Sequence, residues 1–169
     1  MTTVQNTAKS HDLTATNAVW IALATLHSRF PEAEGFTPRE IEAEVSSLHL
    51  FEKDPSTITQ HIKQHLVATK RANAKPRRMV TELPSGKRRL FLEGDAYHPS
   101  RSNSDIHPHL EDLPLEFRPL ILWYQEWTRR GSGQGTFSPE KDPLLALAGT
   151  WTFGDADTFL REHRSGWRE

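Results

Sequence analysis

A chain of 169 residues can hold one ordinary domain with appendages, or two small ones, but not a large multi-domain machine. With 36% hydrophobic and 25% charged residues, a modest core with looser surroundings is expected; the absence of cysteine excludes disulfides, zinc ribbons and thiol catalysis. The formal net charge of −1 hides an asymmetry: residues 1–52 carry 3 basic and 7 acidic side chains, residues 53–89 carry 10 and 2, and residues 90–169 carry 8 and 13. The central block, at +8, is the footprint of a polyanion site, the plainer alternative being a solvated basic face.

Residues 1–13 are polar and aperiodic and read as a frayed tail. They lack the apolar run of a secretory signal, and no stretch approaches the roughly 18 apolar residues of a membrane span, so a soluble, cytoplasmic protein is expected. From Thr14 or Thr16, Val19, Trp20, Leu23, Leu26 and Phe30 recur at helical spacing until Pro31 and Gly35 end the pattern. Thr37, Pro38 and Glu40 then supply a cap, a proline at the first helical position and a glutamate three residues after the cap. With Ile41, Val45 and Leu48 as its apolar stripe, a second helix is predicted from about Pro38 to His49. Asp54, Pro55, Ser56 and Thr57 repeat the same opening, and Ile58, Ile62 and Leu66 predict a third helix running to about Lys70.

Two short strand-like runs follow, beginning at Met79 and Arg89, with Pro84, Ser85, Gly86 and Lys87 as turn chemistry between them. Three short helices and a hairpin over residues 14–94 are the order of a winged helix-turn-helix, a mostly α fold with a small β-hairpin, and the basic block falls on its third helix and hairpin. Residues 95–130 read as a Pro-, Ser- and His-rich connector and a fourth helix, opened by Pro119 and dense in Leu120, Ile121, Trp123, Tyr124 and Trp127. A flexible linker is expected over residues 131–138, and a separate C-terminal tail over residues 139–169.

In a helix-turn-helix the third helix enters the major groove. Its outward face would then present Ser56, Thr57, Gln60, His61, Lys63 and Gln64, where glutamine can bond adenine bidentately and hydroxyls can meet phosphates or base edges. Arg77, Arg78, Lys87, Arg88 and Arg89 on the hairpin suit the DNA backbone or the minor groove, where charge matters more than sequence.

The run from Trp20 to Leu26, Phe36-Thr37 with Glu40-Ile41, Ser56-Thr57-Ile58 with His61-Ile62, and the basic hairpin are together similar to a family of bacterial winged-helix domains of unknown function. The likeness extends through Gly94-Asp95, His98-Pro99 with Arg101, and the stretch from Leu113-Pro114 to Trp123-Tyr124, covering residues 15–130. It implies the fold and DNA binding, and no catalytic residue.

In the tail, Leu144, Leu147, Trp151, Phe159 and Trp167 sit in pieces too short to fold alone and would dock on a partner, a second subunit or the chain's own domain. Its pattern, Asp142-Pro143 with Gly149 and a closing Arg164 to Trp167, resembles the C-terminal tails of some antitoxins, which implies a toxin as the protein partner. His98, Asp105, His107 and His109 are potential metal ligands, but a Pro- and Ser-rich connector supplies no rigid frame, so no metal or other cofactor is expected. No phosphate loop, nucleophile elbow or nuclease carboxylate cluster argues for an enzyme. The expectation is a transcriptional regulator bound to double-stranded DNA, possessing an antitoxin-like tail; the alternative is a protein-interaction module on a winged-helix scaffold.

Overall fold

Thr14 opens the first helix by accepting a hydrogen bond from the Asn17 amide at 3.2 Å, and the computed structural model, which describes residues 13–73 and 75–131, builds outward from there. The described residues belong to one unit, Met1–Gln134. They form four α-helices and a two-stranded antiparallel sheet: α1 (Ala15–Arg29), α2 (Pro38–Ser47), α3 (Pro55–Gln60), β1 (Val80–Glu82), β2 (Arg88–Leu90) and α4 (Pro119–Gly131). The expected tail residues Leu144, Leu147, Trp151, Phe159 and Trp167 lie outside the described residues, as do residues 1–12 and 132–138. No helix among the described residues is long and apolar enough to cross a membrane.

α1 is the central rod. Val19, Trp20, Leu23 and Leu26 are buried as the spacing predicts, but Ala18, Ile21, Ala22 and Ala24 are buried too, so the helix has no solvated face over its middle turns. Small alanines let α2 and the sheet approach closely, and each fully buried large aliphatic side chain contributes about 1.5–3 kcal/mol. Phe30 departs from the expected stripe: as the C-cap residue it leaves the helix and is half exposed. Leu13, assigned from sequence to the frayed tail, is buried in the core.

α2 opens on the expected capping box, with Thr37 N–H donating to Glu40 Oε2 at 2.7 Å and Glu40 N–H to Thr37 Oγ1 at 3.3 Å. It ends two residues earlier than predicted because His49 takes the left-handed conformation, φ 51°. Arg29 ties α1 to α2 through a bidentate pair with Glu44 at 2.9 and 3.3 Å.

The hairpin pairs Val80 with Leu90, Thr81 with Arg89 and Glu82 with Arg88, and Gly86 takes the positive φ of 82° that its turn requires. Phe36, between α1 and α2, adds a single bridging residue on the free edge of β2, exchanging both backbone bonds with Arg88 at 2.8 and 2.7 Å. Gly35 is needed beside it, because a Cβ there would stand 2.9 Å from the Arg88 carbonyl oxygen. α4 packs on α1 through Ile121 and Tyr124; the Tyr124 ring meets Trp20 edge-on at 5.7 Å, and its hydroxyl donates to the Phe91 carbonyl.

Candidate nucleic-acid interface

α3 is set by Asp54, whose carboxylate accepts from the Ser56 hydroxyl at 2.7 Å and the Ser56 amide at 2.9 Å. These bonds hold the Asp54 carboxyl below its ordinary range. Ile58, Ile62 and Leu66 are buried at the expected spacing, but the α-helical hydrogen bonding stops at Gln60. Residues His61–His65 form a π turn, in which Leu66 N–H donates five residues back to the His61 carbonyl at 3.1 Å. That register releases the Ile62 carbonyl from the helical ladder, and Arg88 Nε donates to it at 3.1 Å. The helix predicted to reach Lys70 thus ends at a deliberate contact with the hairpin.

This contact changes the meaning of the hairpin cations. Arg88, expected at an exposed tip, has a side chain only 7% exposed and is held by Ile62, by the Gly86 carbonyl at 2.8 Å and by Glu82 at 3.1 Å. Arg89 forms a bidentate pair with Asp95 at 2.8 and 2.9 Å, and Asp95 also accepts from Thr81 and from the Leu92 amide. Arg78 lies over the rings of Tyr97 and Phe91, 4.6 and 5.4 Å from their centroids. Arg77 pairs with Asp105 at 3.5 Å. Of the five hairpin cations singled out from sequence, Lys87 alone is exposed, its charge acting on Glu40 without a close ion pair; the other four fasten the fold.

The third-helix set divides similarly. Gln60, Lys63 and Gln64 are exposed. Ser56 is tied up by Asp54, and Thr57 is half-buried. His61 is also half-buried, its Nδ1 bonded to the Thr57 carbonyl at 2.8 Å; burial, the largest influence, pushes its pKa down.

Arg101, which the sequence reading did not single out as a site residue, organises the rest. It is 1% exposed, and its guanidinium donates to the carbonyls of Lys70 at 2.7 Å, His65 at 2.8 Å, Gln64 at 3.3 Å and Arg71 at 3.4 Å, and also to that of Arg77. One side chain therefore collects the last carbonyls of the α3 extension and both ends of the basic loop after it, doing for this helix end what a C-cap does elsewhere. Burial lowers its pKa, and among the described residues no carboxylate forms an ion pair with it. The sequence does carry a signal for it: Arg101 is the only Lys or Arg in the connector, residues 95–112. That connector is ordered, with short 3-10 turns and His98 N–H donating to the Ala68 carbonyl at 2.8 Å.

Because Arg101 draws Gln64 and Arg71 to one nitrogen, and Arg88 draws β2 to Ile62, the exposed cations Lys63, Arg71 and Lys87 are carried by adjoining backbone. Exposed Lys75 lies on the same loop as Arg71. No group of three His, Asp or Glu side chains suited to a metal gathers among the described residues; Asp105 and His109 approach to 3.6 Å as a pair. In comparisons with known proteins, no family model, curated protein or solved structure matches the chain.

Proposed function

We propose that residues 13–131 form a winged helix-turn-helix that binds double-stranded DNA, with α3 and its π turn in the major groove, and that the protein regulates transcription by occupying an operator. The order α1, Phe36 bridge, α2, α3, hairpin supports the fold. The observation that carries the function is the sorting of the cations: once those bonded internally are removed, Lys63, Arg71, Lys75 and Lys87 are left exposed around the end of α3, beside Gln60 and Gln64. Long cations grouped there match a phosphate backbone, and the two glutamines supply bidentate amides for base edges. Arg101 is a positioning residue in this reading, since it fixes the backbone from which Gln64 and Arg71 project.

The test is fluorescence anisotropy with a labelled duplex of random sequence. Lys63→Ala, Arg71→Ala and Lys75→Ala combined should weaken binding at least thirtyfold at about 0.1 M salt while leaving the melting temperature unchanged, because each lost phosphate contact removes one counterion-release contribution. Unaltered affinity in the triple variant would refute the interface.

A further inference from the structure

Several histidines among the described residues are committed elsewhere. His27 lies in the core, His98 bonds Ser100, and His107 bonds the Pro108 carbonyl. His109 approaches Asp105 Oδ2 at 3.6 Å, but the Arg77 guanidinium stands 3.5 Å from the same oxygen and keeps a cation away. His61 and His65 differ. They form the two ends of the π turn, both half-buried, with ring centroids 4.9 Å apart and planes inclined at 59°, which is not a stack. Turns of this rare kind occur often at functional sites.

The bonds around the two rings decide which nitrogens are free. His61 Nδ1 meets the Thr57 carbonyl at 2.8 Å; a carbonyl only accepts, so Nδ1 carries the proton and Nε2 keeps a bare lone pair. Burial lowers the His61 pKa, which keeps the ring in this neutral form near pH 7. His65 Nδ1 is held by the Asn73 side-chain amide at 2.9 Å. With Nδ2 forward, that amide donates to Nδ1; turned over, its Oδ1 accepts from a protonated Nδ1 and leaves His65 Nε2 bare as well. One ring nitrogen bonded to an oxygen while the other keeps its lone pair is how proteins orient histidine as a metal ligand. The backbone beneath is fixed too, Leu66 N–H donating to the His61 carbonyl at 3.1 Å and Arg101 Nη1 to the His65 carbonyl at 2.8 Å.

We infer that His61 and His65 chelate one divalent transition-metal ion, of the zinc, nickel or copper class, through their Nε2 atoms. A metal about 2 Å from one nitrogen of each ring, at a near-tetrahedral angle, holds the ring centres about 5 Å apart, the spacing seen here. Neutral imidazole selects these ions over magnesium and calcium, which take oxygen ligands. The chain supplies two ligands and water completes the shell. Two protein ligands in place of the four of a structural zinc site put the dissociation constant for zinc on the order of 10–100 µM, with copper tighter. The site stands whether or not the surface around α3 meets DNA.

The experiment is isothermal titration of the full chain with zinc chloride, while the nitrogen resonances of the sequence-specifically assigned imidazoles are followed by NMR. Zinc should move His61 Nε2 and His65 Nε2 together and before any other ring nitrogen, and magnesium chloride should move neither. His61→Gln and His65→Gln should each weaken zinc binding at least tenfold and His109→Gln should leave it unaltered, with thermal melts establishing that each variant folds. The inference is overturned if the wild type takes up no zinc at about 1 mM, tenfold above the weakest constant expected. It is equally overturned if other histidines respond first, or if the folded His61→Gln and His65→Gln variants bind zinc as tightly as the wild type. Should either variant not fold, the wild-type resonances decide the matter alone.

Discussion

Replacing Arg101 by methionine keeps the length and apolar stem of the side chain and deletes every donor. Three of its five bonds are short, those to Lys70 at 2.7 Å, to His65 at 2.8 Å and to Arg77, and a hydrogen bond in a fold is worth about 1–1.5 kcal/mol net. The two longer bonds, at 3.3 and 3.4 Å, add little, and removing a buried cation relieves some desolvation. A loss of about 3 kcal/mol follows, a large fraction of the 5–15 kcal/mol expected of a domain. For a domain of this size that lowers the melting temperature by roughly 10 °C. Arg101→Lys retains the charge but offers a compact donor group that cannot span all five carbonyls, so it should fall between wild type and methionine. Circular dichroism melts of the three proteins measure the order directly. DNA affinity, taken well below every melting point, should drop in Arg101→Met as well, because the loop holding Arg71 is released. A methionine variant melting within 2 °C of wild type would show that the carbonyls find other partners and that Arg101 does not organise the interface.

His27 is buried between the rings of Phe36 and Trp127, where burial foremost and the Arg89 charge next lower its pKa from 6.5 to about 4. Above pH 6.5 it is neutral folded or unfolded. Below that the unfolded chain takes up a proton that the fold refuses, so stability should fall by about 1.4 kcal/mol per pH unit down to pH 4; urea titrations should give a flatter profile for His27→Gln, and parallel profiles would refute this. Lys87→Ala should weaken DNA binding without moving the melting temperature, whereas Arg88→Ala should lower the melting temperature by several degrees, as its bonds to Ile62 and Gly86 are lost; melts and anisotropy separate the two. Gln60→Ala should cost about 1–3 kcal/mol on a selected operator and little on random DNA, and equal losses on both would remove Gln60 from base reading.

What the sequence disclosed was local. The Thr37–Glu40 box, the Ile58–Ile62–Leu66 stripe and the Gly86 turn each depend on residues within a few positions of one another, and each formed as predicted. What it concealed was the destination of long side chains. A count of cations cannot tell Lys87, which stays in solvent, from Arg88, which reaches 26 residues back to Ile62, or Arg101, which reaches 36 back to His65. The fivefold excess of base over acid between residues 53 and 89 therefore overstated the available charge, because several of those cations are bonded within the fold. The one-residue Phe36 bridge leaves no periodic pattern to read. Arg101 and Tyr124, which entered the sequence analysis only as parts of a resemblance and of an aromatic cluster, emerge as internal fasteners.

The central claim is that this chain meets DNA through the cations left exposed around α3, and the salt dependence of binding tests it most directly. Four phosphate contacts, from Lys63, Arg71, Lys75 and Lys87, predict that the logarithm of affinity falls linearly with the logarithm of salt concentration, with a slope of about −3.6 per bound copy, and that Lys63→Ala reduces the slope by about 0.9. A slope near zero, or one that Lys63→Ala leaves unchanged, would contradict the account.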